Sequence, residues 1–419
     1  MALLHKMTVL INAYACSPNM GSEPGMGWNW VLAIARHCEV YVITEGEFQK
    51  QIEDALKTSE LRERIHFFYN PVSEKVRRMC WNQGDWRFYW YYWKWQRKTA
   101  GIAREICRQH HIDLIHQLNM IGFREPGCLY DVAKDFNIPI VWGPIGGLKQ
   151  FPLEYADSWK MKTFQYIKNK LNIFQIRYYP RILRAINNAD ALISSIPDSH
   201  YAIKRYTGKE SVIIPETGCR DFKQTSGRSF EGNHLEVLWA GKFDYRKRID
   251  IAIKAVAQSG NENIHLHVYG TGNDKQVNEV SSLISTLHID NQVTLHGNMP
   301  HDDVEKAMQS AHLFFFTSVS EDTSTVVLEA ISNGLPVLCF DTCGMSAVID
   351  DCVGKKISLS NPEQSIKEFA HYLNHFYHKR IELNTMSANC QQKSNDLSWE
   401  NKGIKIMNIY KHLTEKNKI

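Results

Sequence analysis

The chain of 419 residues has no Cys-x-x-Cys pair and almost no excess of charge. Nor does it hold an uninterrupted apolar run near the roughly 18 residues that a membrane-spanning helix needs. Its cysteines stand at 16, 38, 80, 107, 128, 219, 339, 343, 352 and 390. Zinc-ligand spacing and a thioredoxin-like dithiol are both absent, which leaves buried, reduced thiols of a cytosolic protein. Lys and Arg number 49 against 45 Asp and Glu, a net charge of +4, too small for a chain this long to point to a nucleic-acid partner. The N-terminus carries Lys6 and then Thr8-Val9-Leu10-Ile11, shorter than a secretory h-region and read as a first buried strand. What remains is ordinary globular composition, 43% hydrophobic and 22% charged, expected in the cytoplasm and in two or three domains of about 150 residues.

Short apolar runs alternate with amphipathic stretches. Thr8-Val9-Leu10-Ile11, Val40-Tyr41-Val42-Ile43, Leu114-Ile115-His116, Ile138-Pro139-Ile140-Val141 and Ala191-Leu192-Ile193 form one series. Glu236-Val237-Leu238-Trp239, the run 264–269, Gln292-Val293-Thr294-Leu295, Leu313-Phe314-Phe315-Phe316 and the run 336–340 form another. Such a rhythm predicts parallel sheets covered on both faces. Ile213-Ile214-Pro215-Glu216-Thr217-Gly218 and the polar stretch 223–233 separate the series. We therefore expect an α/β fold of two doubly wound domains, 1–217 and 218–395, with a closing helix in 396–419 introduced by Ser398. In such sheets ligands sit beyond the carboxyl ends of the strands.

Three of those strand ends carry chemistry. After Val237-Leu238-Trp239 comes Ala240-Gly241-Lys242-Phe243-Asp244-Tyr245-Arg246-Lys247-Arg248. Cations and helix-start amides gathered there suit a diphosphate, and a solvated basic loop fits the segment equally. Tyr269-Gly270-Thr271-Gly272-Asn273 lets backbone approach a ligand, or is a plain tight turn. In the third, Phe316 leads into Thr317-Ser318-Val319-Ser320-Glu321-Asp322-Thr323-Ser324-Thr325, where Asp322, Thr323 or Ser324 can cap a helix. Glu321 then precedes that helix and Glu329 lies about two turns along it. Alone, the two acids read as a cap and a surface charge.

Together, Gly241-Lys242 with Lys247, Gly270-Thr271-Gly272, Glu321 with Glu329, and Gly334-Leu335-Pro336-Val337 resemble, in order and spacing, the C-terminal pattern of the family 4 retaining glycosyltransferases. Asp341-Thr342-Cys343-Gly344 and Val353-Gly354 fit that family's later turns. The resemblance spans nearly the whole chain and is clearest over 236–358. It implies the GT-B architecture, two facing Rossmann-like domains with a central cleft and a last helix packed back on the N-terminal domain. It further implies that Lys242 and Lys247 bind a donor's diphosphate, Glu321 the hydroxyls of the transferred sugar, and Glu329 the ribose. Gly272 and the backbone of Thr323, Ser324 and Thr325 would border the donor. Two departures stand out. Lys242 replaces the usual Arg, a point charge for a bidentate fork, and Asp322-Thr323-Ser324-Thr325 replaces a Gly-aromatic-Gly run.

In the N-terminal half, 17–28 resembles the family's glycine-rich first loop, opening a helix from about Trp30. Gly25 and Gly27 are donor-side candidates there, with a structural turn as the alternative. His116 and Asn119 follow a strand on what would be the acceptor side, where a satisfied structural histidine is the alternative for His116. Trp142-Gly143-Pro144-Ile145-Gly146-Gly147 ends another strand. The chain contains no Asp-x-Asp, so the expectation is no metal and no cofactor, with cations and helix amides stabilising the leaving diphosphate.

Two segments mix aromatics with cations, 81–98 and 159–184. They suit peripheral contact with an anionic membrane or, for Trp86, Tyr89, Trp90 and Trp93 at helical spacing, a domain core. The expected function is a cytoplasmic, retaining, metal-independent transfer of a hexosyl or N-acetylhexosaminyl group from a nucleotide-sugar donor to a glycan or lipid-linked glycan, in cell-surface polysaccharide biosynthesis. A GT-B-like nucleotide-sugar epimerase and a non-catalytic nucleotide-sugar-binding subunit are the rival readings, and no nucleic-acid partner is expected.

Overall fold

The computed structural model describes residues 6–82, 85–223 and 228–416. Residues 83–84 of the aromatic segment and 224–227 of the polar stretch lie outside them. The chain divides into two compact units: 1–148 with 171–216 and 399–419, and 149–170 with 217–398.

The sheet of the first unit comprises β1 Thr8–Ala13, β2 Glu39–Thr44, β3 Ile65–Tyr69, β4 Leu114–Asn119, β5 Ile140–Ile145, β6 Ala191–Ser194 and β7 Val212–Ile213, in the order β3-β2-β1-β4-β5-β6-β7. Neighbours pair in parallel. β1 and β4 are buried along their whole length, as expected of central parallel strands covered on both faces. Strand order reverses between them, so the loops after β1 and β4 open side by side.

Helix Ser22–Ala35 covers this sheet with Trp30, Val31 and Ile34. The closing helix Trp399–Lys416 adds Ile406, Met407 and Tyr410 to the same core. Gly403 permits the two helices to meet, since a Cβ there would stand 2.7 Å from the Ala33 carbonyl oxygen. The Trp30 indole donates to the Glu216 carbonyl over 2.9 Å and meets the Trp399 ring edge-on. Helix Arg87–Gln109 packs Phe88, Tyr92 and Trp95 over Tyr14. Trp86, Tyr89 and Trp90 are exposed and Trp93 half-buried, so the face that packs is offset from the one the spacing suggested.

The second unit has β8 Leu235–Ala240, β9 Ile264–Tyr269, β10 Val293–Gly297, β11 Leu313–Phe316, β12 Val337–Phe340 and β13 Gly354–Ile357, ordered β10-β9-β8-β11-β12-β13, again parallel. The reversal falls between β8 and β11. Phe369, on helix Pro362–His378, meets Phe315 and Phe340 edge-on at 4.9 and 4.8 Å. Residues 149–170 belong here rather than to the first domain, where the sequence placed them. Their anchor is Tyr155, fully buried against Phe340 with its hydroxyl 2.6 Å from that of Ser365. All ten cysteines are free thiols. Among the described residues, no helix is long and apolar enough to cross a membrane.

Candidate active site

Two turns at the strand ends of the second unit are stitched together. The Gly241 amide donates to the Tyr269 carbonyl over 3.0 Å, and that of Phe243 to Thr271 over 2.9 Å. Gly270 has φ +136°, and a Cβ there would lie 1.8 Å from the Gly241 carbonyl oxygen. At Gly272 a Cβ would press within 2.9 Å of the Phe243 Cβ. Both glycines are therefore demanded by the fit of one turn against the other. Asn273 and Gln276 then close a reciprocal capping box on helix Asp274–Thr286.

The four cations after β8 separate. Arg246 pairs with Asp244 at 2.7 Å. Arg248 is buried, at φ +49°, and forks onto both oxygens of Asp250 at 2.8 Å while donating to the Tyr155 carbonyl. Lys242 is exposed. Lys247 lies over the Phe316 ring and brings Nζ to 2.9 Å from Glu321 Oε1. The Ser318 hydroxyl donates to the same oxygen over 3.1 Å. Backbone contacts fix the pair: Val319 N–H donates to the Arg246 carbonyl, and the Thr317 hydroxyl donates to that of Lys247 while accepting from the Trp239 indole. The Lys247 and Glu321 side chains are 14% and 17% exposed, so the ion pair is partly shielded yet open on one side.

A second cation joins this loop from 149–170, and no motif in the sequence announced it. Lys149 Nζ lies 2.9 Å from Asp322 Oδ2. Burial pulls its ammonium down, but the Asp322 carboxylate outweighs this and holds the pKa above the ordinary lysine value. Helix Thr325–Ser332 begins next, with Ser324 extended at its N-cap. Thr323 and Ser324 are buried and Thr325 is exposed. First-turn amides there have no carbonyl four residues back within the helix. Glu329 sits further along, and its Oε1 is 3.1 Å from His301 Nε2. Lys247 and Glu321 are thus brought together, while Glu329 pairs with a histidine that the motifs did not single out. His301, Asp302 and Glu305, at the start of helix His301–Ser310, place potential ligand atoms within 4.8 Å of one another, the first two exposed and Glu305 half-buried.

In the first unit the sequence candidates take interior places. The helix expected from about Trp30 starts at Ser22, so Gly25 and Gly27 are helical and not part of a loop. A Cβ at Gly25 would stand 2.1 Å from the Met20 carbonyl oxygen, and one at Gly27 2.2 Å from that of Ala15. Asn119 is fully buried and braces the same loop, donating to the Ala15 carbonyl over 2.8 Å and accepting from its amide. His116 is also fully buried, between the Gly143 carbonyl and the Tyr410 hydroxyl. Neither residue presents a solvent-facing atom. Glu23, which no motif marked, accepts from the Ile121 amide at 3.0 Å, tying the helix start to the loop after β4.

Comparison with known proteins settles the kind of domain. The family model described as Glycosyl transferases group 1 matches residues 223–393. This stretch is a glycosyltransferase group 1 domain. It contains Lys242, Lys247, Gly272, Glu321, Thr323, Ser324, Thr325 and Glu329. The UDP-N-acetylglucosamine–peptide N-acetylglucosaminyltransferase GtfA subunit of Streptococcus parasanguinis is 24% identical over 212 residues, 48% of this chain and 39% of that protein. The chain thus spans well under half the length of that curated relative. Among solved structures, Anabaena HepE in complex with UDP aligns at TM-score 0.63 and 14% identity, over 97% of this chain and all of the other. Sucrose-phosphate synthase of Thermosynechococcus elongatus aligns at 0.66 and 15%, over 98% of this chain and all of the other. At such identities the likeness is one of fold, and the group 1 domain sits in a GT-B chain of two Rossmann-like parallel sheets.

Proposed function

We propose that the chain is a retaining, metal-independent glycosyltransferase that moves a hexosyl or N-acetylhexosaminyl group from a nucleotide sugar to a glycan or lipid-linked glycan. Its setting is the synthesis of cell-surface polysaccharide, at the cytoplasmic face of a membrane. The observation that carries this reading is the Lys247–Glu321 pair, held by backbone contacts at the ends of the two strands where the order of the second sheet reverses. UDP in the HepE complex and in the name of the streptococcal relative makes a uridine diphosphate sugar the first donor to try.

In this reading Lys247 and exposed Lys242 meet the diphosphate, helped by the amides at the start of helix Thr325–Ser332. Glu321 accepts from hydroxyls of the transferred sugar and Glu329 from the ribose. The bond between the anomeric carbon and the diphosphate oxygen breaks as the acceptor oxygen bonds on the same face. The acceptor's proton passes to the departing diphosphate, whose growing charge the fixed cations stabilise.

The test is thermal shift with UDP, GDP, ADP and dTDP in EDTA, since a ligand of the folded state raises its melting temperature. One nucleotide should stabilise the wild type without metal and fail to stabilise Lys247→Ala. No shift with any of them, together with no diphosphate release from their sugars in the presence of glycan acceptors, would end the proposal. Conversion of a nucleotide sugar with no acceptor present would favour the epimerase instead.

A further inference from the structure

Helix Trp159–Tyr178 has its polarity reversed. Gln165, Asn169 and Asn172 are buried. The Asn169 side chain holds both backbone groups of Phe151, at 3.0 and 2.9 Å, and Gln165 donates to the Tyr245 hydroxyl. Arg124 donates to Asn172 and Gln175. Besides these amides the inward side carries buried Ile176 and half-buried Met161 and Ile173. The outward side carries Phe164, Ile167, Leu171, Phe174 and Tyr178, exposed by 63%, 59%, 47%, 57% and 54%. Their spacing alternates three and four residues, which keeps them on one stripe of a helix. Trp159 and Tyr166 are exposed beside them. An apolar stripe of this length on a helix whose other side is already satisfied needs a covering surface.

Charge selects the surface. Residues 159–184 include Lys160, Lys162, Lys168, Lys170, Arg177, Arg181 and Arg184 and not one Asp or Glu. Lys170 lies over the Tyr166 ring and Arg177 over that of Tyr178, so cations flank the aromatics directly. Arg181 and Arg184 of the following helix, Pro180–Asn188, line a cavity of about 470 Å3 with Arg97, Arg104, Trp93 and Asp131, Arg181 being paired with Glu125 and Arg104 with Asp135. Pairing with a second copy of the stripe would gain none of the flanking acid–base bridges that stabilise paired helices. Aromatics bordered by Lys and Arg are what the interface of an anionic bilayer accommodates. We infer that helix Trp159–Tyr178 lies on an anionic lipid surface, its Phe164–Ile167–Leu171–Phe174–Tyr178 stripe in the headgroup–acyl boundary and its cations on lipid phosphates. The segment 81–98, also expected at the membrane, divides its aromatics: Phe88, Tyr92 and Trp95 fill its inward face, while Trp86, Tyr89 and Trp90 are exposed with Lys94 over the Trp90 ring.

The inference rests on and deepens the membrane setting of the proposed function, but its test is separate from the transferase reading, because vesicle binding requires no turnover. The full chain should cosediment with phosphatidylcholine vesicles containing phosphatidylglycerol, not with phosphatidylcholine alone, and salt should weaken the binding. Phe174→Asp should abolish it at an unchanged melting temperature. Lys170→Glu with Arg177→Glu should weaken it by more than about tenfold and decides the matter should Phe174→Asp fail to fold. Equal binding to both vesicle types, or none to either, would overturn the inference. So would a wild-type dimer that Phe174→Asp converts to a monomer while vesicles are ignored, which would assign the stripe to a second copy of the chain.

Discussion

The Tyr410 hydroxyl donates to His116 Nδ1 across 2.5 Å in the core of the first unit. The other ring nitrogen, Nε2, faces the Gly143 carbonyl at 2.7 Å and must carry the proton, since a carbonyl can only accept. His116 is thereby held as one neutral tautomer, and it joins the closing helix to β4 and the end of β5. Burial depresses its pKa to about 4, against the Gly143 bond that raises it.

This predicts a measurable acid sensitivity. Between pH 6.5 and about 4 the unfolded chain binds a proton on His116 that the folded chain refuses. The histidine's contribution is therefore complete above pH 6.5 and lost as the pH falls towards 4, a change of about 3 kcal/mol. Urea unfolding of wild type and His116→Gln across that range should show their stability difference shrink by about this amount on acidification. A constant difference would contradict it.

At the candidate site, Glu321→Gln should reduce turnover by about a hundredfold or more while nucleotide binding survives. Lys247→Ala should lose the nucleotide-induced thermal shift itself. Steady-state kinetics and melting curves on both variants separate a role on the sugar from one on the diphosphate.

Gly27 and Gly101 predict opposite signs for the same substitution. A methyl at Gly27 would stand 2.2 Å from the Ala15 carbonyl oxygen, so Gly27→Ala should destabilise by about 2 kcal/mol or more. Gly101 lies in helix Arg87–Gln109 with nothing within 4 Å of a Cβ, so Gly101→Ala should stabilise by about 0.5–1 kcal/mol. Denaturant midpoints of the two variants check both.

Arg248 lies buried between Asp250 and the Tyr155 carbonyl. Arg248→Ala leaves the half-buried Asp250 to Lys254 alone and the Tyr155 carbonyl without this donor, and should cost about 1–3 kcal/mol. Arg248→Lys should recover little, because an ammonium cannot fork onto both Asp250 oxygens. Thermal unfolding of the two variants tests this.

Much of the architecture was legible because a fully buried parallel strand is a short continuous apolar run, as in Leu313-Phe314-Phe315-Phe316. The edge strand β13 was not, since Lys355 and Lys356 interrupt its pattern where one side needs no cover. The helix start at Ser22 was hidden by Pro24, Gly25 and Gly27, which read as breakers. Pro is tolerated in a first helical turn, and the glycines serve a close backbone approach that only tertiary structure reveals. The Lys247–Glu321 pair was foreshadowed by motif spacing. Lys149 was not, because its position depends on Tyr155 anchoring a segment far away in sequence. Helix Trp159–Tyr178 shows the limit most plainly: helical periodicity finds an apolar stripe but not whether the stripe faces in or out.

The closing helix bears on how the protein is made. Ile406, Met407 and Tyr410 complete the core that Val9 and Trp30 begin, yet synthesis delivers them only after the whole of 217–398. On the ribosome, the first unit must wait with part of its sheet uncovered until the second unit has emerged. A stop codon or a protease cut near residue 398 would accordingly injure the N-terminal half, leaving intact the sequence of the domain just before the break.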